Sequence, residues 1–131
     1  MRRALVAPLT TAAAATAAAV VVAFLDPYEP GHLPSCPILS LTGFYCTGCG
    51  SMRAVHSLMH LDVAAAWDMN PLLLLLAPFA LATWVAWTVR AWTGRPRTWA
   101  APPWAVTAVV VLLVVFTVGR NVPALAPWLA P

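Results

Sequence analysis

The stretch PLLLLLAPFALATWVAWTVRAW, Pro71 to Trp92, decides the fold. Its one charge, Arg90, comes near the end, and its length meets the roughly 20 apolar residues needed to cross a hydrocarbon core at about 1.5 Å per residue. Asn70 and Pro71 stand at its start as a helix cap and first-turn pair, and Trp and Arg close it at an interface. Pro78 falls inside the run. Its missing N–H should bend the helix there, which membrane helices tolerate when neighbours satisfy the freed carbonyl.

Two more apolar runs flank this one. PPWAVTAVVVLLVVFTVG, Pro102 to Gly119, is β-branched enough for a buried strand, but its length and company favour a membrane helix. Ala4 to Leu25 has the length of a span although its middle, TTAAAATAAA, is Ala-rich. Arg2 and Arg3 before it also suit a secretory leader, but the apolar stretch exceeds the usual h-region of about 7–15 residues and no A-x-A site precedes Asp26. The expected fold is an all-α integral membrane protein, a single membrane domain over 1–131. It has three transmembrane helices, at approximately 4–25, 71–92 and 102–119. A Cys-containing insert, 26–70, carries a short interfacial helix between the first two.

Composition agrees: 62% of the 131 residues are hydrophobic and 8% charged, against roughly 25% charged in soluble domains. The net charge of +3 does not signal nucleic acid, because Arg2, Arg3, Arg90, Arg95 and Arg97 flank apolar runs instead of forming a patch with interleaved aromatics. They read as topology signals. The positive-inside rule puts the N-terminus and the 93–101 loop in the cytoplasm, and the 26–70 segment and the C-terminal tail on the extracytoplasmic face. Trp92, Trp99 and Trp104 gather around the basic loop as an interfacial belt, and Trp128 suits the other surface. The expected partners are membrane lipid and a membrane or extracytoplasmic protein.

All three cysteines, Cys36, Cys46 and Cys49, fall in the insert. Cysteines used as small core hydrophobes would scatter through the spans, so their confinement suggests a site. The leading part of the insert, rich in Pro and Gly, reads as loop with extended pieces. From about Cys49 to Leu61 the pattern is helical, followed by a further turn or two before Asn70. At about 100° per residue, Cys49, Arg53, His56 and His60 form one polar stripe, with Ala54, Val55 and Leu58 opposite. The plain reading of that stripe is the aqueous face of an interfacial helix.

Cys46-Thr-Gly-Cys49 has the gap shared by redox dithiols and by half of a zinc site. As a metal set, Cys36, Cys46 and Cys49 with His60 or His56 would give three sulfurs and one nitrogen, compatible with tetrahedral zinc, with Asp62 an available oxygen. As a redox pair, Cys46 and Cys49 would be catalytic. The helix N-terminus and Arg53 would favour the Cys49 thiolate, and the remaining thiols would resolve the intermediate. A structural bridge from Cys36 to Cys46 or Cys49 is the plain alternative. No Ser-His-acid arrangement points to a hydrolase.

Cys36-Pro37, then TGFYCTGCGSMRA, HLD and NPL up to Pro71, resemble a family of small bacterial membrane proteins known as domain of unknown function 2752. The resemblance runs over about residues 34–123, counting the closing GRNVP at Gly119 to Pro123. It implies a multi-pass membrane protein whose motif residues include Cys36, Pro37, Gly43, Cys46, Cys49, Gly50, Arg53, Asp62, Asn70 and Pro71, and it implies no particular activity. Thr47 stands where that family most often has Pro, Met52 where Thr is usual and Leu61 where Gly is usual; the last bears on the tight turn before Asp62. His56 is outside the family pattern. The resemblance adds Arg120 to the residues of interest. Arg53 and Arg120 each need a carboxylate or carbonyl partner, for which Asp62 and Asp68 are available, or they snorkel to the surface.

Three functions follow from these readings. The leading one is a non-enzymatic structural or partner-binding membrane module whose outer Cys segment is disulfide-bridged or metal-clamped. The alternatives are a membrane thiol–disulfide oxidoreductase and a metal-binding protein, with zinc the compatible ion.

Overall fold

The computed structural model describes residues 2–29, 31, 36–97 and 100–131. Trp99 lies outside them. Three helices are long and apolar enough to cross a membrane: α1 (Arg2–Phe24), α5 (Pro71–Thr93) and α6 (Pro103–Arg120). Between α1 and α5 come α2 (Pro37–Thr42), α3 (Ser51–Met59) and α4 (Val63–Met69), and α7 (Ala126–Leu129) follows α6. The all-α, multi-pass architecture and the Cys segment between the first two spans are as the sequence predicts. The β-branched third run is helix throughout, and Pro78 is contained within α5.

Helix ends in the insert follow from local chemistry. Asp62 caps α4 by accepting the Ala65 N–H at 2.9 Å, and Asn70 caps α5 by accepting the Leu73 N–H at 3.1 Å, with Pro71 at the first helical position. The expected loop after Cys36 is instead the short helix α2. Pro37 at its first position needs no N–H partner there, and Gly43, at φ 74°, ends it in the left-handed conformation.

The buried residues gather at one end of the molecule. Apart from Pro8, they lie in the segment 49–72 and at Gly119 and Arg120. There α3 and α4 pack together, α3 rests on α1, α4 on α5, and α7 on α6 and α4. The C-terminal end of α1, the N-terminal end of α5 and the C-terminal end of α6 thus meet a common cap, while the long apolar faces of all three spans are left to lipid. Along the spans α1 packs on α5, and the Trp84 indole N–H donates to the Pro8 carbonyl at 3.1 Å.

Two members of the polar stripe, Arg53 and His56, turn toward the end of α1, while His60 stays exposed as the sequence predicts. His56 Nδ1 donates to the Val22 carbonyl at 2.8 Å, Arg53 Nε donates to the Pro27 carbonyl at 3.4 Å, and the Arg53 guanidinium lies 5.2 Å over the Tyr28 ring. These groups satisfy carbonyls that the end of α1 and the following turn leave without helix partners. Arg53 and His56 thus form a seam between α3 and the end of α1.

Leu61 closes α3. The Asp62 N–H reaches the Ser57 carbonyl at 2.9 Å and the Leu61 N–H reaches the Leu58 carbonyl at 3.0 Å, the paired bonds of a Schellman turn. The turn needs Leu61 at φ 63°, a conformation that favours glycine. The side chain, 89% exposed, recovers nothing by packing within the chain. Leu61→Gly should therefore stabilise the protein by about 1 kcal/mol, seen as a higher unfolding midpoint in detergent; an unchanged or lower midpoint would contradict this account of the turn.

Candidate metal and thiol centre

The three cysteines arrive from two segments. Cys36 is the residue before α2, and Cys46 and Cys49 bound the turn before α3. Their Sγ atoms lie within 4.8 Å of one another, with Cys36 to Cys46 and Cys46 to Cys49 both at 3.4 Å. A disulfide needs about 2.05 Å, so these are free thiols in van der Waals contact. Three sulfurs at about 2.3 Å from a tetrahedral zinc ion would stand about 3.8 Å apart. The two separations to Cys46 are a few tenths of an ångström shorter than that, and the Cys36 and Cys49 sulfurs lie within 4.8 Å of each other.

His60 does not join this group. Its ring is exposed, Nδ1 faces the His56 carbonyl of its own helix at 2.8 Å, and it lies against the His56 ring at 4.4 Å between centroids. Asp62, spent on the α4 cap, is also absent from the cluster. Among the described residues the ligating group is the three thiols alone.

The thiols are chemically unlike. Hydrogen bonding from the Leu39 backbone N–H and then from the Cys46 thiol brings half-buried Cys36 down to about 7, from an ordinary thiol value of 9.0. Burial pushes Cys49 up to about 11, although the Cys46 N–H donates to its sulfur at 3.2 Å. This reverses the expectation that Cys49 is the thiolate. Cys49 stands one residue before the α3 cap, Gly50, and is 4% exposed, so removal from water outweighs the helix dipole and Arg53. The acidic thiol is Cys36, at the head of α2.

What holds the CTGC turn in place is a set of amide and guanidinium donors. Arg120 is fully buried and pairs with no carboxylate in the described structure. Its Nη1 donates to the Cys46 carbonyl at 2.9 Å and the Thr47 carbonyl at 3.5 Å, Nη2 to Met69 at 3.1 Å, and Nε to Leu129 at 2.7 Å. The Phe116 ring lies 4.9 Å beneath the guanidinium. Of the two kinds of partner expected for Arg120, it takes carbonyls, not Asp62 or Asp68.

Asn70, 1% exposed, donates to the carbonyls of Thr47 at 3.0 Å and Cys49 at 3.3 Å and to the Ser51 hydroxyl at 3.0 Å, while its oxygen caps α5. Gly50 sits at φ 78°, and a Cβ there would collide with the Met69 carbonyl oxygen and come within 2.7 Å of Pro131. Only glycine lets the CTGC turn approach the end of α4 this closely.

Asn121 was not anticipated as a site residue. It holds Tyr45 at two points, accepting the N–H at 2.8 Å and donating to the carbonyl at 2.9 Å, and it also donates to Thr117 at 2.7 Å. Its place in GRNVP next to Arg120 was the one available signal. The thiols line an open cavity of about 1160 Å³, whose wall includes Tyr28, Met52 and Arg53.

Arg120→Met would strand the part-buried carbonyls of Cys46, Met69 and Leu129. The expected loss is about 3 kcal/mol or more, with the CTGC turn loosened and Cys49 opened to alkylation. A variant with wild-type midpoint and an equally protected Cys49 would refute the clamp.

Residues 36–84 match a family described as "Protein of unknown function (DUF2752)", the family that the cysteine motif resembles. The matched segment begins at the first thiol and ends within α5, so Arg120 and Asn121 lie outside it although they hold its turn. No curated protein and no solved structure matches the chain.

Proposed function

We propose that this chain is a non-enzymatic, membrane-anchored metal module: Cys36, Cys46 and Cys49 together clamp one thiophilic ion such as Zn²⁺ in a cap on the extracytoplasmic face, where the cap meets a partner protein. The observation that carries the reading is the convergence of three free Sγ atoms within 4.8 Å, from two separate segments, on a turn whose carbonyls are fixed from behind. A rigid backbone with sulfurs already at near-coordination spacing lets an ion bind without reordering the turn. Three protein ligands leave the fourth position of a tetrahedral ion to water or to a group of the partner, and the open cavity supplies its access. The excess of arginine at the opposite ends of the helices supports the outward orientation of the cap.

Metal loading has a clear chemical signature. The reduced full chain, incubated with Zn²⁺ and desalted, should retain one ion per protein by elemental analysis, and Co²⁺ should give sulfur-to-metal charge-transfer absorption. Cys46→Ser should lose most of the bound metal, and His60→Ala should lose none. Because Cys49 must give up a proton held up to about 11, affinity should fall steeply with acidification, and binding should release protons. Metal-free wild-type protein after loading would end this reading.

A second reading is favoured by the acidity of Cys36 and its 3.4 Å approach to Cys46. Here the Cys36 thiolate attacks the disulfide of a partner, forming a mixed disulfide and releasing one partner thiol. The Cys46 thiolate then displaces the second partner sulfur. The partner gains two electrons and two protons, and a Cys36–Cys46 disulfide remains. The reacting pair is then Cys36 and Cys46 in place of Cys46 and Cys49.

A membrane-impermeant maleimide applied to intact cells should label Cys36 with a rate that reaches half its maximum near pH 7. Cys49 should stay unlabelled well above pH 8. Labelling only after the cells are permeabilised would reverse the orientation. A flat pH profile for Cys36 would remove the redox reading.

A further inference from the structure

The end of the molecule opposite the thiol cap carries a cleft between the start of α1 and the finish of α5. It is an open cleft of about 590 Å³, lined by Trp87, Arg90, Arg95 and Arg97 together with the small residues Ala4, Ala91 and Gly94. Gly94 makes the site possible: at φ 67° it ends α5 and turns the chain, so that Arg95 comes back to the same cleft as Arg90 on the last turn of the helix. Ala4, Ala91 and Gly94, with little or no side chain, leave room for a group to sit against the backbone beside the arginines.

We infer that this cleft binds the phosphate headgroup of an anionic phospholipid, independently of any metal in the cap. The chain's four carboxylate residues, Asp26, Glu29, Asp62 and Asp68, all fall between α1 and α5, at the cap end. A guanidinium is never neutral at physiological pH. At this end the chain has no carboxylate with which to offset Arg90 and Arg95, and the nearest abundant anions are lipid phosphates. Planar guanidinium groups bind phosphate oxygens in pairs. The cleft also lies where a headgroup would be. It sits at the end of two membrane-length helices, with Trp87 on its wall and Trp92 and Trp104 exposed nearby in sequence as interfacial side chains. Basic pockets between membrane helices are the usual seat of anionic headgroups. A protein ligand would need an acidic segment to enter at lipid depth, and a nucleic acid would need a broader basic surface than this 590 Å³ cleft.

The test uses the full chain in nanodiscs of equal parts dioleoyl-phosphatidylglycerol and dioleoyl-phosphatidylcholine. Native mass spectrometry should show phosphatidylglycerol retained at least fivefold over phosphatidylcholine, with the preference falling close to parity in Arg90→Gln/Arg95→Gln. Parity in the wild type, or undiminished preference in the double variant, would overturn the inference. Loss of the retained lipid on adding millimolar inorganic phosphate would also overturn it, by assigning the cleft to the free anion. If the double variant fails to fold, a photoactivatable phosphatidylglycerol added to the wild type decides the matter. It should label the peptide spanning 87–97, and labelling elsewhere with none there would be a refutation. Arg53→Gln, a change at the cap end, should leave lipid retention unaltered.

Discussion

One buried charge organises the cap. Taking a guanidinium out of water is expensive, and the protein does it without a carboxylate. What stands in for the counter-ion is the arrangement of helix ends. Arg120 is the last residue of α6, Met69 the last of α4 and Leu129 the last of α7, and Arg120 donates to the carbonyls of the other two. Helix C-termini carry partial negative charge on unpaired carbonyls, so three such ends around one cation compensate it with dipoles that needed donors in any case. Its Nη1 group is spent on Cys46 and Thr47. The constraint that satisfies the helix ends is therefore the one that fixes the thiol-bearing turn.

This arrangement explains how a short turn can present its two sulfurs on one side, where Cys36 meets them. Tyr45, Cys46, Thr47 and Cys49 have carbonyls taken by Asn121, Arg120 and Asn70. With these polar backbone groups engaged behind the turn, the thiols line the cavity on the other side. The same packing makes Cys49 less acidic than Cys36, because the side that receives the donors is also the side that excludes water. Cys36, joined from α2, keeps partial exposure and gains backbone donors, so the two thiols flanking Cys46 are pushed in opposite directions by one fold.

The legibility of the sequence followed the range of the interaction. Hydropathy and length are local sums, and they located the three spans to within about two residues. Capping is also local, so Asn70 and Pro71 were readable at their own positions, whereas Asp62, read as an oxygen ligand or arginine partner, is the cap of α4. Helical periodicity found the stripe of Cys49, Arg53, His56 and His60, but it reports which residues share a face and is silent about what meets that face. Val22 and Pro27, more than 25 positions earlier, are what meets it. The clamp from Arg120 to Cys46 spans 74 positions, and the Asn121 grip on Tyr45 spans 76. No pattern within either segment encodes such a pairing. The acidity of Cys49 was misjudged for a related reason: dipole and neighbouring charge are visible in sequence, whereas burial, the larger effect here, depends on the whole cap.

The two ends of the molecule are built on different principles. The cap end holds nearly all of the buried residues, the carboxylates and the thiols, and is ordered by hydrogen bonds among its own segments. The other end holds Arg90 and Arg95 beside an open cleft, and their counter-charge comes from outside the chain. The link between them is α5, whose 23 residues extend about 35 Å and carry no charge between Pro71 and Arg90. Its N-terminal end is fixed by the Asn70 cap and by buried Pro71 and Leu72. An anion seated at the far end therefore meets a helix already anchored, and the Trp84 indole, which donates to Pro8 along the way, ties α5 to the early part of α1 and not to the cap. Perturbations at sites so far apart and without shared partners add independently. Lipid occupancy of the cleft should leave the sulfur spacing of the cap unchanged, so the membrane holds the thiol centre in place without tuning its chemistry.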